Sequence, residues 1–316
     1  MNHMNYKICV IGLGSIGSQH IYNVTEVLKN RNVDFTIDVL RSGFGAELDN
    51  QLGKLINHVY HDTDRMPDNY DIAFITNPTS LHYNAIAEFT GKSKNLFIEK
   101  PVFSGSSVDL SLLGLKSSGI YYVACPLRYT KVIQYLRAYI QSAKVYSARV
   151  ICSSYLPDWR PHTDYRNSYS AKRDQGGGVS IDLIHEWDYL YYLFGKPKRI
   201  LKIRGTYSDL EITSDDLSVY IGEYDHMLAE VHLDYFGRVP VREIELYGPE
   251  DTLRGDLIHS KVQFLRKGEF LKFEESRRGY QMRELEYFFD IIEGKADNHN
   301  DINTALEVLK ITEGRL

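Results

Sequence analysis

Along the first hundred residues the apolar positions fall into short, β-branched runs separated by stretches with helical spacing. Tyr6–Ile11 reads as a buried parallel strand that ends at a glycine. Beyond Gly17, the positions Ile21, Val24, Val27 and Leu28 recur at helical intervals. Phe35–Leu40 and Asp71–Thr76 read as further strands, the second followed by Asn77-Pro78-Thr79-Ser80 and a helix through Glu88. Asn95–Ile98 is strand-like again and runs directly into Glu99-Lys100-Pro101. Repeated alternation of this kind predicts parallel βαβ units, a doubly wound sheet with helices on both faces.

The pattern changes beyond about residue 125. A helical stretch around Lys131–Gln141 leads into a strand, Tyr146–Ser153, and then a polar, aromatic loop. Gly176-Gly177-Gly178 opens one predicted helix, Val179–Phe194. After it, Arg199–Tyr207, Leu217–Tyr224, Met227–Phe236, Glu243–Tyr247 and Lys261–Leu265 alternate as strands do. They predict an α+β domain with a largely antiparallel open sheet, covered on one face. Helices return at Gln281–Ile292 and from Ile302. The expected division is 1–125 for the doubly wound, Rossmann-type domain and 126–316 for the second, α+β domain.

A chain of 316 residues suits two cores rather than one. Its formal net charge of −5 gives no general attraction for nucleic acid or anionic membrane, so neither is expected as a partner. It has no apolar run of membrane-spanning length and no signal-peptide pattern at its N-terminus. Cys9, Cys125 and Cys152 are widely spaced and read as buried, reduced thiols of a cytoplasmic protein, not as a disulfide or zinc framework. The histidines are scattered, so no metal site is expected.

Gly12-Leu13-Gly14-Ser15-Ile16-Gly17 fits G-x-G-x-x-G, placed where a buried strand gives way to a helix. There Gly12 permits a tight turn, Gly14 lets a pyrophosphate approach the backbone, and Gly17 lets helix and strand pack closely. The N–H groups of the first helical turn, at Ser15, Ile16 and Gly17, face the phosphates with the positive end of the helix dipole. An NAD enzyme usually places Asp or Glu at the end of the second strand. That position falls near Leu40, followed by Arg41 and Ser42, while Asp38 lies within the strand and points elsewhere. The missing carboxylate, with Arg41 and Ser42 as donors, favours NADP(H) over NAD(H).

Lys100 stands where open α/β sheets place their ligands, and the following proline holds it extended. Asp182, His185 and Asp188 share one face of the predicted helix, and an imidazole can give and take a proton near neutrality. Trp159 offers an apolar face for a substrate ring, and Arg160, Tyr165 and Arg166 offer donors.

Gly12–His20 as GLGSIGSQH, Thr76–His82 as TNPTSLH, Glu99–Pro101 as EKP, Arg128 after the junction, and Gly176–Asp188 as GGGVSIDLIHEWD occur in this order. Together they resemble the Gfo/Idh/MocA family of sugar and polyol dehydrogenases over nearly the whole chain. The resemblance implies that Lys100 and His185 are the acid/base pair at the reacting hydroxyl and that Asp182 supports the substrate. It also implies that Asn77, Pro78, His82 and Glu99 line the nicotinamide side, with Lys100 and Arg128 at the cofactor. The commoner family pattern separates Asp and His by three residues; here only Leu183 and Ile184 intervene, which leaves the task of Asp182 open. The loop Tyr155–Pro161 is similar to a subgroup associated with bacterial surface-sugar and sialic-acid-like pathways.

The expected activity is hydride transfer between NAD(P) and a secondary alcohol of a sugar, amino sugar or polyol, free or nucleotide-linked. Two other readings use the same parts: a glycoside hydrolase working through transient oxidation by retained NAD, and a non-catalytic NAD(P)-sensing regulator. Retention of Lys100 and His185 argues against the regulator, which needs neither. A sheet covered on one face could pair with a second copy, so a homodimer or homotetramer is expected.

Overall fold

The computed structural model describes residues 5–43 and 48–316. They pack as two compact units, Met1–Ala124 with Gln281–Leu306, and Cys125–Tyr280 with Glu307–Leu316. The first unit opens with β1 (Asn5–Ile11), α1 (Ser15–Asn30), β2 (Asp34–Leu40), the short α2 (Asn50–Gly53) and β3 (His58–Tyr60). It continues through β4 (Tyr70–Ile75), α3 (His82–Lys92), β5 (Ser93–Ile98) and β6 (Ile120–Val123). The six strands are all parallel, in the order β3-β2-β1-β4-β5-β6. Ile8, Val10, Ile72, Phe74, Phe97 and Ile98 are wholly buried, as their apolar runs require for a sheet covered on both faces.

Register decides where this unit can bind. Ile11 pairs with Leu40 on one side and Ile75 on the other, and Ile75 pairs with Ile98. The carboxyl ends of β1, β2, β4 and β5 therefore finish level. The order of strands reverses between β1 and β4, and ligands of open α/β sheets bind at such a switch.

The second unit contains α4 (Lys131–Tyr139), β7 (Ser147–Tyr155), α5 (Val179–Asp182), α6 (His185–Phe194), β8 (Arg199–Gly205) and β9 (Leu217–Glu223). β10 (Leu228–Asp234), β11 (Phe236–Tyr247), β12 (Thr252–Asp256), β13 (Lys261–Phe264) and β14 (Glu269–Lys272) complete its eight-stranded sheet. The order is β14-β13-β12-β11-β7-β10-β9-β8, antiparallel except for the central β7–β10 pair. Ala148, Val150, Tyr220 and Val231 bury one face. There the Trp187 ring of α6 meets Tyr220 edge-on at 5.4 Å. The other face is wetter, with Leu201, Ile203 and Leu228 exposed.

One expected element divides. In place of a single helix over Val179–Phe194, the chain leaves helical geometry at Leu183 (φ −97°, ψ 32°) and restarts at His185. Asp182 and His185 thus belong to different helices and do not share a helical face.

The chain then returns through α7 (Arg277–Ile292) and α8 (Ile302–Glu313). Phe288 of α7 packs against Phe97 at 5.2 Å and Tyr122 at 5.6 Å. Arg31 reaches Asp290 and Glu293 at 2.9 and 3.0 Å. The β6 edge is closed by Asn300, which accepts from the Val123 N–H at 2.9 Å and donates its amide to the Val123 carbonyl at 2.7 Å. The second unit is accordingly not the continuous span 126–316: an aromatic helix belongs to the first core, which an amphipathic pattern alone cannot announce.

Candidate active site

The turn between β1 and α1 is built by contact. Gly12 has φ +92°, and a Cβ there would stand 2.6 Å from the Asn77 Cα; one on Gly17 would stand 2.2 Å from the Gly12 carbonyl oxygen. The Gly12 N–H donates to the Leu40 carbonyl at 2.9 Å, and the Thr76 hydroxyl donates to the Gly12 carbonyl at 2.7 Å. Strands β1, β2 and β4 thus hold one turn.

Gly14 precedes α1, and the space where its Cβ would sit is open. No side chain caps α1 and its first turn carries no acidic residue. The N–H groups at Ser15, Ile16 and Gly17 are therefore left to an outside acceptor, which suits a pyrophosphate. The Asn77 Oδ1 is buried with no hydrogen-bond partner, as fits a residue awaiting a polar ligand. These residues suit a dinucleotide.

Asp38 points away from such a ligand. It is buried, accepting from the Tyr70 hydroxyl at 2.8 Å, with His58 Nδ1 3.1 Å away. At the strand end the Arg41 N–H donates to the Tyr60 carbonyl at 3.0 Å. Residues 40–43 contain no carboxylate.

Glu99 and Lys100 follow β5 at the same edge, and the Lys100–Pro101 peptide is cis. Glu99 Oε1 lies 2.6 Å from His20 Nε2, and Oε2 accepts the Lys100 N–H at 3.2 Å. Burial by itself would raise the Glu99 pKa. The His20 hydrogen bond and charge, with Lys100, outweigh that and hold the carboxyl below its usual range. His82 is buried: Nε2 faces the Asn77 carbonyl at 3.0 Å, and Nδ1 faces Pro101 and Val102 carbonyls at 3.1 and 3.2 Å. Burial lowers its pKa against the pull of those carbonyls and of Glu99. His82 stitches the Asn77–Pro78 turn to the segment after Lys100. Pro78 itself is exposed, its carbonyl accepting the Leu81 N–H at 2.8 Å.

In the second unit every acid of the Asp182–Asp188 segment has a fixed partner. Tyr235 donates its hydroxyl to Asp182 at 2.5 Å, and Tyr169 stands near the same carboxylate. Arg242 donates to Glu186 at 2.8 Å. Arg128 holds Asp188 through two hydrogen bonds of 2.9 and 2.7 Å while its guanidinium lies 5.2 Å over the Tyr192 ring. Backbone groups at Val179 and Ser180 donate to Asp215, which anchors α5. His185, half-buried, begins α6.

The structure joins Trp159 to this cluster. Its ring meets Tyr235 edge-on at 5.3 Å, and the Arg160 charge is felt at Tyr169. Tyr165 and Arg166 are engaged elsewhere. Glu211 occupies both, the Tyr165 hydroxyl accepting its N–H at 3.2 Å, and Asp164 shares Arg166. Among the described residues no group of three or more His, Cys, Asp or Glu could hold a metal ion, and Cys9, Cys125 and Cys152 are buried and form no disulfide.

Tyr235, Tyr169, Asp215 and Arg242 carry no local signal that sets them apart, because their partners lie far away in sequence. His20 does carry one. It falls on the buried stripe of α1 with Gly17, Ile21 and Val24, where a polar ring needs a partner.

Residues 6–110 match the family model described as an oxidoreductase family with an NAD-binding Rossmann fold. An inositol 2-dehydrogenase/D-chiro-inositol 3-dehydrogenase from Lactiplantibacillus plantarum is 23% identical over 188 residues, 59% of this chain. The match spans 52% of that relative, so the chain covers about half of its length. Among solved structures, levoglucosan dehydrogenase in complex with NADH and levoglucosan aligns with a TM-score of 0.83 at 16% identity, over 98% of this chain and 96% of that one. UDP-N-acetylglucosamine 3-dehydrogenase from Acidithiobacillus ferrooxidans aligns with a TM-score of 0.78 at 18% identity, over 99% and 97%. The WlbA dehydrogenase from Bordetella pertussis, in complex with NADH and UDP-GlcNAcA, gives 0.75 at 15%, over 98% and 95%.

Proposed function

We propose that the chain is an NAD(P)-dependent dehydrogenase of the Gfo/Idh/MocA type, acting on a secondary alcohol of a sugar, amino sugar or polyol; residues 6–110, which match the model of an oxidoreductase family with an NAD-binding Rossmann fold, support the reading. The observation that carries the reading is an uncapped, carboxylate-free helix N-terminus behind the Gly12 turn, with Lys100 at the carboxyl edge of the same sheet. When bound, the nicotinamide accepts or returns a hydride. The N–H groups of Ser15, Ile16 and Gly17 hold the pyrophosphate, and Asn77 offers its unpaired oxygen to the nicotinamide side. Lys100 and His185 serve the substrate hydroxyl as acid and base, and Asp182, fixed by Tyr235, supports the sugar beside Trp159 and Arg160. Arg128 acts at one remove, by pinning Asp188. The sugar and UDP-sugar dehydrogenases of similar fold support the substrate class.

Arg41 and Ser42, with no carboxylate among residues 40–43, favour NADP(H) over NAD(H). Three buried cysteines outside any disulfide suit a reducing, cytoplasmic setting. The wetter sheet face of the second unit suits a second copy. Leu201, Ile203 and Leu228 are exposed there beside rows of mixed charge, Glu230, Arg149, Glu245 and Arg254, a pattern complementary to itself.

The test is a cofactor-reduction screen over sugars, amino sugars and nucleotide sugars with NAD⁺ and NADP⁺, followed by nicotinamide absorbance. Turnover is expected with at least one of them. Sugar release without net cofactor change would replace the reading by the hydrolase, and cofactor binding without any turnover by the sensor. Lys100→Ala and His185→Ala should each lower kcat by roughly 10²–10⁴ while cofactor affinity stays nearly unchanged, the scale of a lost proton-transfer group. Wild-type turnover in either variant would reject the assignment.

A further inference from the structure

We propose that His20 is a positioning residue for Lys100, acting through Glu99; the inference rests on the dehydrogenase reading above. His20 is 6% exposed and packs against two aromatic rings, 5.5 Å from Phe74 and 5.0 Å from Phe97. A carboxylate can only accept, so Nε2 carries the hydrogen and donates it to Glu99 Oε1 at 2.6 Å. Nδ1 is buried with no hydrogen-bond partner. The ring's polar contact is thus spent on Glu99. The second carboxylate oxygen accepts the Lys100 N–H at 3.2 Å. One carboxylate therefore ties α1, the helix that carries the glycine turn, to the residue that bears the ammonium.

The titratable groups felt at Glu99 are His20 from α1, Lys100 from its own segment and His82 from α3. His82 is committed to backbone carbonyls, so His20 and Lys100 compete for the carboxylate. The donor from His20 fixes Glu99 in one orientation and draws its charge toward α1. Without that donor the carboxylate can turn fully to the ammonium, and a lysine so paired releases its proton only at higher pH. His20 thereby keeps Lys100 both placed and ready to act as a base.

The experiment is competitive acetylation of Lys100 by acetic anhydride across pH, read by peptide mass spectrometry on the full-length protein. Only the neutral amine reacts, so the midpoint reports proton loss without needing turnover. In His20→Phe, which keeps an aromatic ring but no donor, the midpoint should rise, and labelling near neutral pH should fall roughly three- to tenfold. His20→Gln, with a donor at similar reach, should stay close to wild type. Glu99→Gln removes the charge and should move the midpoint the opposite way. With an active sugar, the acidic limb of kcat should follow the same order while the cofactor KM holds. Coincident midpoints in wild type and His20→Phe, or equal losses in the Phe and Gln variants, would overturn the role. Should His20→Phe not fold, a wild-type midpoint in Glu99→Gln overturns it equally. Failure of the wild type to turn over any sugar would instead reject the dehydrogenase reading, since labelling is measured apart from turnover.

Discussion

Asp38 and Arg41 sit close together in sequence, and the proposed preference for NADP(H) rests on both. Asp38 is turned into the core, bound by the Tyr70 hydroxyl, so its charge is not available to two ribose hydroxyls. Arg41 stands at the strand end, half-buried, beside exposed Ser42. Arg41→Asp should lower NADP(H) affinity about 10- to 100-fold, by removing a cation and adding repulsion toward a 2′-phosphate, and should leave NAD(H) affinity equal or improved. Titration of nicotinamide fluorescence with both cofactors measures it; equal losses for the two would reject the role of Arg41. The burial of Asp38 was legible in the sequence because it lies inside the apolar run of β2, short of the strand end. The tyrosines were not legible. Several of them, Tyr70, Tyr122 and Tyr235 among them, donate buried hydroxyls to carboxylates on distant elements, and nothing local marks which ones.

Among elements, the break at Leu183 matters most. Periodicity from Val179 to Phe194 is continuous, so a single helix is the natural expectation, and the interruption arises from tertiary ties. Asp215 anchors the start of α5 and Tyr235 holds its last residue, while α6 is tied separately through Glu186 to Arg242 and Asp188 to Arg128. The glycine triplet that opens the segment was readable; its partners were not. Beside the Glu186–Arg242 pair, burial first and the Glu186 charge second push the Cys152 thiol up to about 12, which leaves it unreactive. Tyr235→Phe deletes a hydrogen bond to a carboxylate and nothing else of shape. It should lower stability by about 1.5–3 kcal/mol and raise the sugar KM more than the cofactor KM. Thermal unfolding and steady-state kinetics read the two effects, and an unchanged Tm would show that the Tyr235–Asp182 bond carries no net stability.

The whole molecule is discontinuous in sequence: the first core is finished by α7, which arrives from the far end of the chain. Arg31 at the end of α1 binds Asp290 and Glu293 of that helix, partly exposed pairs of the modest kind. Arg31→Ala should therefore cost only about 1 kcal/mol, since Phe288 and Phe289 supply the apolar anchorage, yet it should speed hydrogen exchange in α7 relative to β1 and β4. Uniform exchange rates in variant and wild type would remove the clamp from the account.

The wetter face of the second unit's sheet is the surface that suits a second copy. Scattered exposed apolar side chains are ordinary, but Leu201 and Ile203 are neighbours on one strand, and the paired residues Ile221 and Val219 extend the same surface. Two copies related by a two-fold axis would each cover the other's apolar strip and bring unlike charges of the Arg149 and Glu245 row together. Ile203 is 68% exposed, so a glutamate there meets water in a single copy and leaves its fold intact. In a pair it would place an uncompensated carboxylate in an apolar contact, which is costly. Ile203→Glu should shift sedimentation from dimer or tetramer toward monomer with unchanged circular dichroism. A wild-type chain that sediments as a monomer, or a variant that assembles as before, would assign that face to water instead.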